Sequence, residues 1–71
     1  MISIKFVKEN KRVFAFSSHH PKTLDSGGEY KSGNNHGKTA DEAFENLLKA
    51  WRIYCISEDP TKIKWIENNS F

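Results

Sequence analysis

Ile2, Ile4 and Phe6 alternate with Ser3, Lys5 and Val7 at the start of the chain, close to the period-two pattern of a half-buried strand. Val13-Phe14-Ala15-Phe16 is a second, strongly β-prone run, and Glu9-Asn10-Lys11 between the two predicts a hairpin. Burial argues its register. A three-residue turn centred on Asn10 sets Phe6 opposite Phe14 and Ile4 opposite Phe16, so that the large side chains share one face. A two-residue turn at Glu9-Asn10 sets Phe6 against Val13 and divides the phenylalanines between faces. The odd-length turn is therefore expected, with Asn10 or Lys11 adopting φ > 0.

The period changes after residue 39. Ala43, Leu47, Ala50, Trp51 and Tyr54 make one continuous helical stripe, widened by Phe44, Leu48 and Cys55. Thr39 stands at the N-cap with Glu42 at capping-box spacing, and Asp41 and Glu42 suit the positive end of the helix dipole. Ser57-Glu58-Asp59-Pro60 ends the helix, because Pro60 cannot continue it. Thr61 to Ile66 alternates again, Ile63 and Trp65 to one side and Lys62 and Lys64 to the other, as a strand does. Residues 67–71 read as a frayed tail unless Phe71 folds back. Between hairpin and helix, residues 17–37 hold all four glycines with Pro21, Asn34 and Asn35. They predict a long polar loop, with room for a short strand at Glu29-Tyr30-Lys31-Ser32.

The order ββ(β)αβ is that of an α+β domain: a small antiparallel sheet of three to four strands with one helix packed on one face. Its expected core is Ile4, Phe6, Phe14, Phe16, Leu47, Trp51 and Trp65. Seventy-one residues make a single domain, 1–71. A chain this short buries only about 60% of its unfolded surface, so a homodimer, through an edge strand or the exposed flank of the helix, would supplement a marginal core.

Charge adds an asymmetry. The formal net charge is +2, but residues 1–38 carry seven Lys/Arg against three Asp/Glu, and residues 39–71 carry four against six. A basic sheet half and an acidic helix half could meet nucleic acid on one side and a basic protein on the other. Cys55 is the only cysteine, which excludes an internal disulfide and fits a reducing setting. Met1 to Phe6 alternates instead of forming an apolar run, so no secretion signal is expected. No apolar run approaches the roughly 20 residues of a membrane span. A cytoplasmic protein is expected.

Candidate chemistry is sparse. His19, His20, His36 and Cys55 are the potential metal ligands, but adjacent histidines on extended chain point apart and no C-x-x-C or H-x-x-x-H spacing exists, so no metal site is expected. Asp25-Ser26-Gly27-Gly28 could offer backbone amides to an anion, and Ser, His and Asp all occur in the loop, but a glycine-rich segment gives a nucleophile no rigid support. Gly37-Lys38-Thr39 matches the end of the P-loop pattern, yet Ser32 stands where the first glycine belongs and Asp41 and Glu42 would repel phosphate. No cofactor is expected, and no enzymatic activity.

Gly37-Lys38-Thr39, Glu42-Ala43, Asn46-Leu47 and Ala50 together resemble the G-x-T-x-x-E-A-x-x-N-x-x-x-A run of HicB-type antitoxin domains. The resemblance extends over residues 2–55, because a β-hairpin precedes the motif in that family as well. It implies a partial ribonuclease-H-like ββ(β)αβ fold that binds a small toxin and does no chemistry. The family's Pro-Gly-Cys strand is replaced here by Asp25 to His36, and its DNA-binding C-terminal module has no counterpart in residues 61–71.

Two functions follow as expectations. In the first, the chain is a small non-enzymatic binding protein that recognises and inhibits or regulates a macromolecular partner, as an antitoxin-like or phage-type inhibitor of a host enzyme would. A protein partner would be met by the loop residues His19, His20, Asp25, Tyr30, Asn34 and His36. In the alternative, it is a small nucleic-acid-binding protein using a basic sheet face of Lys5, Lys8, Arg12, Lys62 and Lys64. The Phe residues are assigned to the core in both readings, which leaves Tyr30 as the stacking candidate.

Overall fold

The structure, a computed structural model, describes residues 2–24, 33–55 and 59–71. The α+β order holds. Strands β1 (Ile4–Glu9) and β2 (Arg12–Ser17) form the hairpin, but its register departs from expectation. The loop has two residues, Asn10 and Lys11, with φ of 51° and 62°, the paired left-handed conformation of a type I′ turn. Glu9 faces Arg12, Val7 faces Phe14, Phe6 faces Ala15 and Ile4 faces Ser17. Phe14 and Phe16 consequently lie on the face opposite to Val13 and Ala15.

Helix α1 (Ala40–Tyr54) explains the choice. Ala15, Ala43 and Leu47 form the buried cluster, with Ile4, Val13 and Trp51 packed against it. The helix seats an alanine stripe on the alanine of β2, and Ala15 and Ala43 are wholly enclosed. Small side chains on both elements let the backbones approach, leaving no volume for phenylalanine between them. Four members of the expected core are thereby corrected. Phe6, Phe16 and Trp65 remain 46%, 37% and 43% exposed, and Phe14 is half-buried on the outer face.

The helix begins as the capping residues predict. Thr39 Oγ1 accepts the Glu42 N–H at 3.1 Å, and the Glu42 carboxylate reaches back to the Lys38 N–H at 3.4 Å. It closes at Cys55, whose N–H donates to the Trp51 carbonyl at 2.9 Å. The buried Cys55 thiol donates to the Pro21 carbonyl at 3.3 Å, tying the helix end to the sheet.

The segment read as a loop is strand at both of its described ends. β2 runs through Ser18 into β3 (His19–Thr23), and β4 (His36–Gly37) enters the helix. Residues 29–32, where a short strand was expected, lie outside the described residues. β5 (Ile63–Glu67), preceded by a 3-10 turn at Pro60–Lys62, pairs antiparallel with β3. Ser18 joins the two sheets. Its N–H donates to the Ser3 carbonyl and its carbonyl accepts the Asn68 N–H, at 2.8 and 2.7 Å. The groups of one extended residue point the same way, so β1 and β5 lie end to end along one edge of β2–β3. β4 takes the other edge, with the Ala15 N–H on the Asn35 carbonyl at 2.8 Å and Asn35 Nδ2 on the Ala15 carbonyl at 2.7 Å.

Pro21, expected in a turn, is buried within β3 opposite Trp65. Its carbonyl points to Cys55, away from β5. The proline thus occupies a position whose N–H would not bond β5, where a missing donor costs least. Trp65 meets Trp51 edge to face at 5.4 Å, and both line an apolar groove of about 370 Å³ with Leu48, Ile63 and Pro21. Phe71 folds back rather than fraying: Lys5 Nζ donates to its main-chain oxygen at 2.8 Å and lies 4.9 Å from its ring centroid.

Candidate functional site

Among the described residues, the helix packs on one face of the strands and no helix packs on the other. Strand alternation decides what the open face carries. In the β1–β2–β4 sheet, Val13, Ala15 and Ser17 point to the helix, so Lys5, Val7, Glu9, Arg12, Phe14, Phe16 and His36 point outward. In the β3–β5 sheet, Pro21, Ile63 and Trp65 line the groove beside the helix, so His20, Lys22, Lys64 and Ile66 occupy the opposite side.

The centre of the outer face is aromatic. The Phe14 and Phe16 rings lie 6.3 Å apart between centroids and within 18° of parallel, as alternate residues of one strand allow. His36, opposite Phe14 across the β2–β4 ladder, brings its ring to 5.6 Å at 51°. Lys5 stands opposite Phe16 and Phe71 is drawn to its ammonium. Lys5 and Arg12 flank the aromatics, Lys22 and Lys64 pair across the second sheet, and Glu9 is the single acidic side chain among these positions.

This face gathers residues from both sets that the sequence suggested. Lys5, Arg12 and Lys64 reach it, as do His20 and His36. Lys8, opposite Val13, belongs to the helix side, and Lys62 sits in the 3-10 turn. His19 lies on the helix side at the junction of the sheets, its Nδ1 2.9 Å from Ser18 Oγ. That hydroxyl also accepts the Ser3 N–H at 2.8 Å, so it serves the strand junction. Asn34 is exposed beside a cavity of about 300 Å³ that it shares with His36, Asn46, Lys49, Ala50 and Ile53. Asp25 and Tyr30 lie outside the described residues.

Phe14 and Phe16 are the site residues that sequence reasoning misplaced. The overlooked signal was Ala15 between them. A strand with phenylalanine on one side and alanine on the other can bury either face, and the alanine stripe at Ala43 and Ala50 shows which one the helix matches.

The entry to the helix has a separate, structural logic. A Cβ on Gly37 would meet Glu42 Cγ and Cβ at 2.6 and 2.8 Å and the Ala43 nitrogen at 3.0 Å. Asn46 Nδ2 donates to the His36 carbonyl at 2.7 Å, satisfying an acceptor of β4. Gly37 and Asn46 thus fasten α1 to β4.

Compared with sequence families, with characterised proteins and with solved structures, the chain matches none. No helix among the described residues is long and apolar enough to cross a membrane. No group of three or more His, Cys, Asp or Glu side chains among them is placed to hold a metal ion. What the outer face offers is stacking surface beside positive charge.

Proposed function

We propose that the chain is a non-catalytic binding module that uses the outer face of its sheet, and that its partner there is single-stranded nucleic acid. The observation that carries this reading is the near-parallel Phe14–Phe16 pair on a face edged by Lys5 and Arg12. Every base has a π-face, so aromatic side chains hold unpaired bases with little regard for sequence, while adjacent cations follow the phosphates. The Lys22–Lys64 pair extends the positive track onto the second sheet. A reducing, cytoplasmic setting suits the single buried thiol.

Fluorescence anisotropy of a labelled oligothymidylate tests it. Affinity should fall steeply between about 50 and 200 mM salt, by counterion release. Phe14→Ala and Phe16→Ala should each weaken binding by about 1–3 kcal/mol per stacked base. Lys5→Glu and Arg12→Glu should flatten the salt slope. Equal binding of a blunt duplex, or indifference to the two phenylalanine changes, would sink the reading.

A second reading is an antitoxin-like or phage-type inhibitor with a protein partner, supported by the likeness of residues 37–50 to HicB-type domains. It predicts that shortening residues 26–35 abolishes capture of that partner and leaves oligonucleotide affinity unchanged.

A further inference from the structure

We infer that two copies of this chain pair through the free edge of β1, antiparallel and centred on Val7, to form one continuous sheet. The inference does not depend on what the outer face binds.

Among the described residues, β1 has a strand partner on one side only. Among the described residues the strand order is β1-β2-β4, and β5 abuts the end of β1 rather than its flank. The direction of its backbone groups is fixed by the Ser18 N–H donating to the Ser3 carbonyl. Ser3, Lys5, Val7 and Glu9 therefore direct theirs toward β2, and Ile4, Phe6 and Lys8 direct theirs to the open edge. That edge is not apolar-poor. Phe6 is 46% and Val7 39% exposed, an unusual load for an edge strand left in water.

The charges select a register. With the two-fold axis at Val7, Lys5 lies opposite the partner's Glu9 and Glu9 opposite the partner's Lys5, both on the outer face, with Val7 against Val7 between them. Directly opposed residues of opposite charge favour pairing, and like charges oppose it. Moving the axis to Phe6 would leave Lys5 opposite Val7 with no charge pair, and moving it to Lys8 would set Lys8 against Lys8. The Val7-centred register also suits the backbone. Phe6 and the partner's Lys8 exchange both hydrogen bonds, as do Lys8 and the partner's Phe6, while the Val7 pair falls at a non-hydrogen-bonded site. On the helix side the aliphatic stem of Lys8 covers the Phe6 ring of the other copy. Lys5 already donates to the Phe71 carbonyl, but an ammonium has three donors, and two stay available.

An axis perpendicular to the sheet keeps both helices on one side and both outer faces on the other. The two Phe14–Phe16 pairs then share a single surface. One short strand pair buries less than the ~1,200–2,000 Å² of a standard interface, so the dimer is expected to be concentration-dependent.

Cysteine cross-linking of the full chain, carrying Cys55→Ser, tests the register. In a glutathione redox buffer, Val7→Cys should form disulfide dimer at least about tenfold more than Phe6→Cys, since Cα atoms ~4.5 Å apart at a non-hydrogen-bonded pair are within disulfide reach. Sedimentation equilibrium of the unmodified chain should show dimer rising with concentration. Lys5→Glu and Glu9→Lys should each remove it, and the double exchange should restore it. Circular dichroism identifies any variant that fails to fold, and the double exchange is then read alone: restored dimer supports the register. A monomer at all concentrations, preferential cross-linking of Phe6→Cys, or a double exchange that folds and stays monomeric would overturn the inference.

Discussion

The two faces of the same strands are built on opposite rules. Toward the helix, β2 presents Val13, Ala15 and Ser17, and α1 answers with Ala43, Leu47 and Ala50. Away from it, β2 presents Arg12, Phe14 and Phe16, and nothing described lies over them except ring neighbours. The tightly packed face uses small residues because close approach of two backbones is itself the packing. The open face carries the bulk, so aromatic size here marks availability for a partner rather than burial. Large hydrophobic residues are thus an unsafe guide to the core when small ones alternate with them.

Stability measurements can break this comparison. The largest effect should come from Leu47→Ala, which empties the buried cluster and should cost about 2–5 kcal/mol in urea unfolding. In a domain of this size that is enough to leave much of the chain unfolded. Gly37→Ala should follow. The added methyl meets Glu42 and the Ala43 nitrogen, so the first turn of α1 must move off β4, at about 1–3 kcal/mol. Phe16→Ala should cost less than either, about 1 kcal/mol or below, because the ring is already partly in water. If Phe16→Ala proved as damaging as Leu47→Ala, the distinction between the faces would be wrong.

The smallest effect lies away from both faces, at the turn that delivers β5. The Thr61 hydroxyl and N–H both donate to Asp59 Oδ1, at 2.7 and 3.0 Å. The side-chain bond first and the backbone bond second hold this carboxyl below its ordinary value of 3.8. A depressed folded value means that its contribution is complete above pH 3.8 and fades as the pH falls through the lower folded value. Thr61→Val should raise the Asp59 midpoint in an NMR titration and flatten that acid limb slightly.

Local chemistry was legible. Thr39, Glu42 and the stripe from Ala43 to Trp51 announce the helix because caps and periodicity act within a turn or two of chain. The alternation of Ile63 and Trp65 against Lys64 announces β5 for the same reason. The strand at His19–Thr23 was hidden because its residues are polar and Pro21 suggests a turn. Only the pairing with β5, which places the prolyl carbonyl toward Cys55, shows that the missing N–H does no harm.

The hairpin shows where such reading stops. Glu9-Asn10-Lys11 and two β-prone runs determined that a hairpin forms, and the capping residues determined where the helix begins. Whether the loop took two residues or three, and hence which face holds Phe14 and Phe16, was decided by the fit of Ala15 against Ala43 and Leu47 across some thirty residues of chain. A strand apolar on both sides has no preferred face of its own. The element that packs on it supplies one, and with it the surface left over for binding.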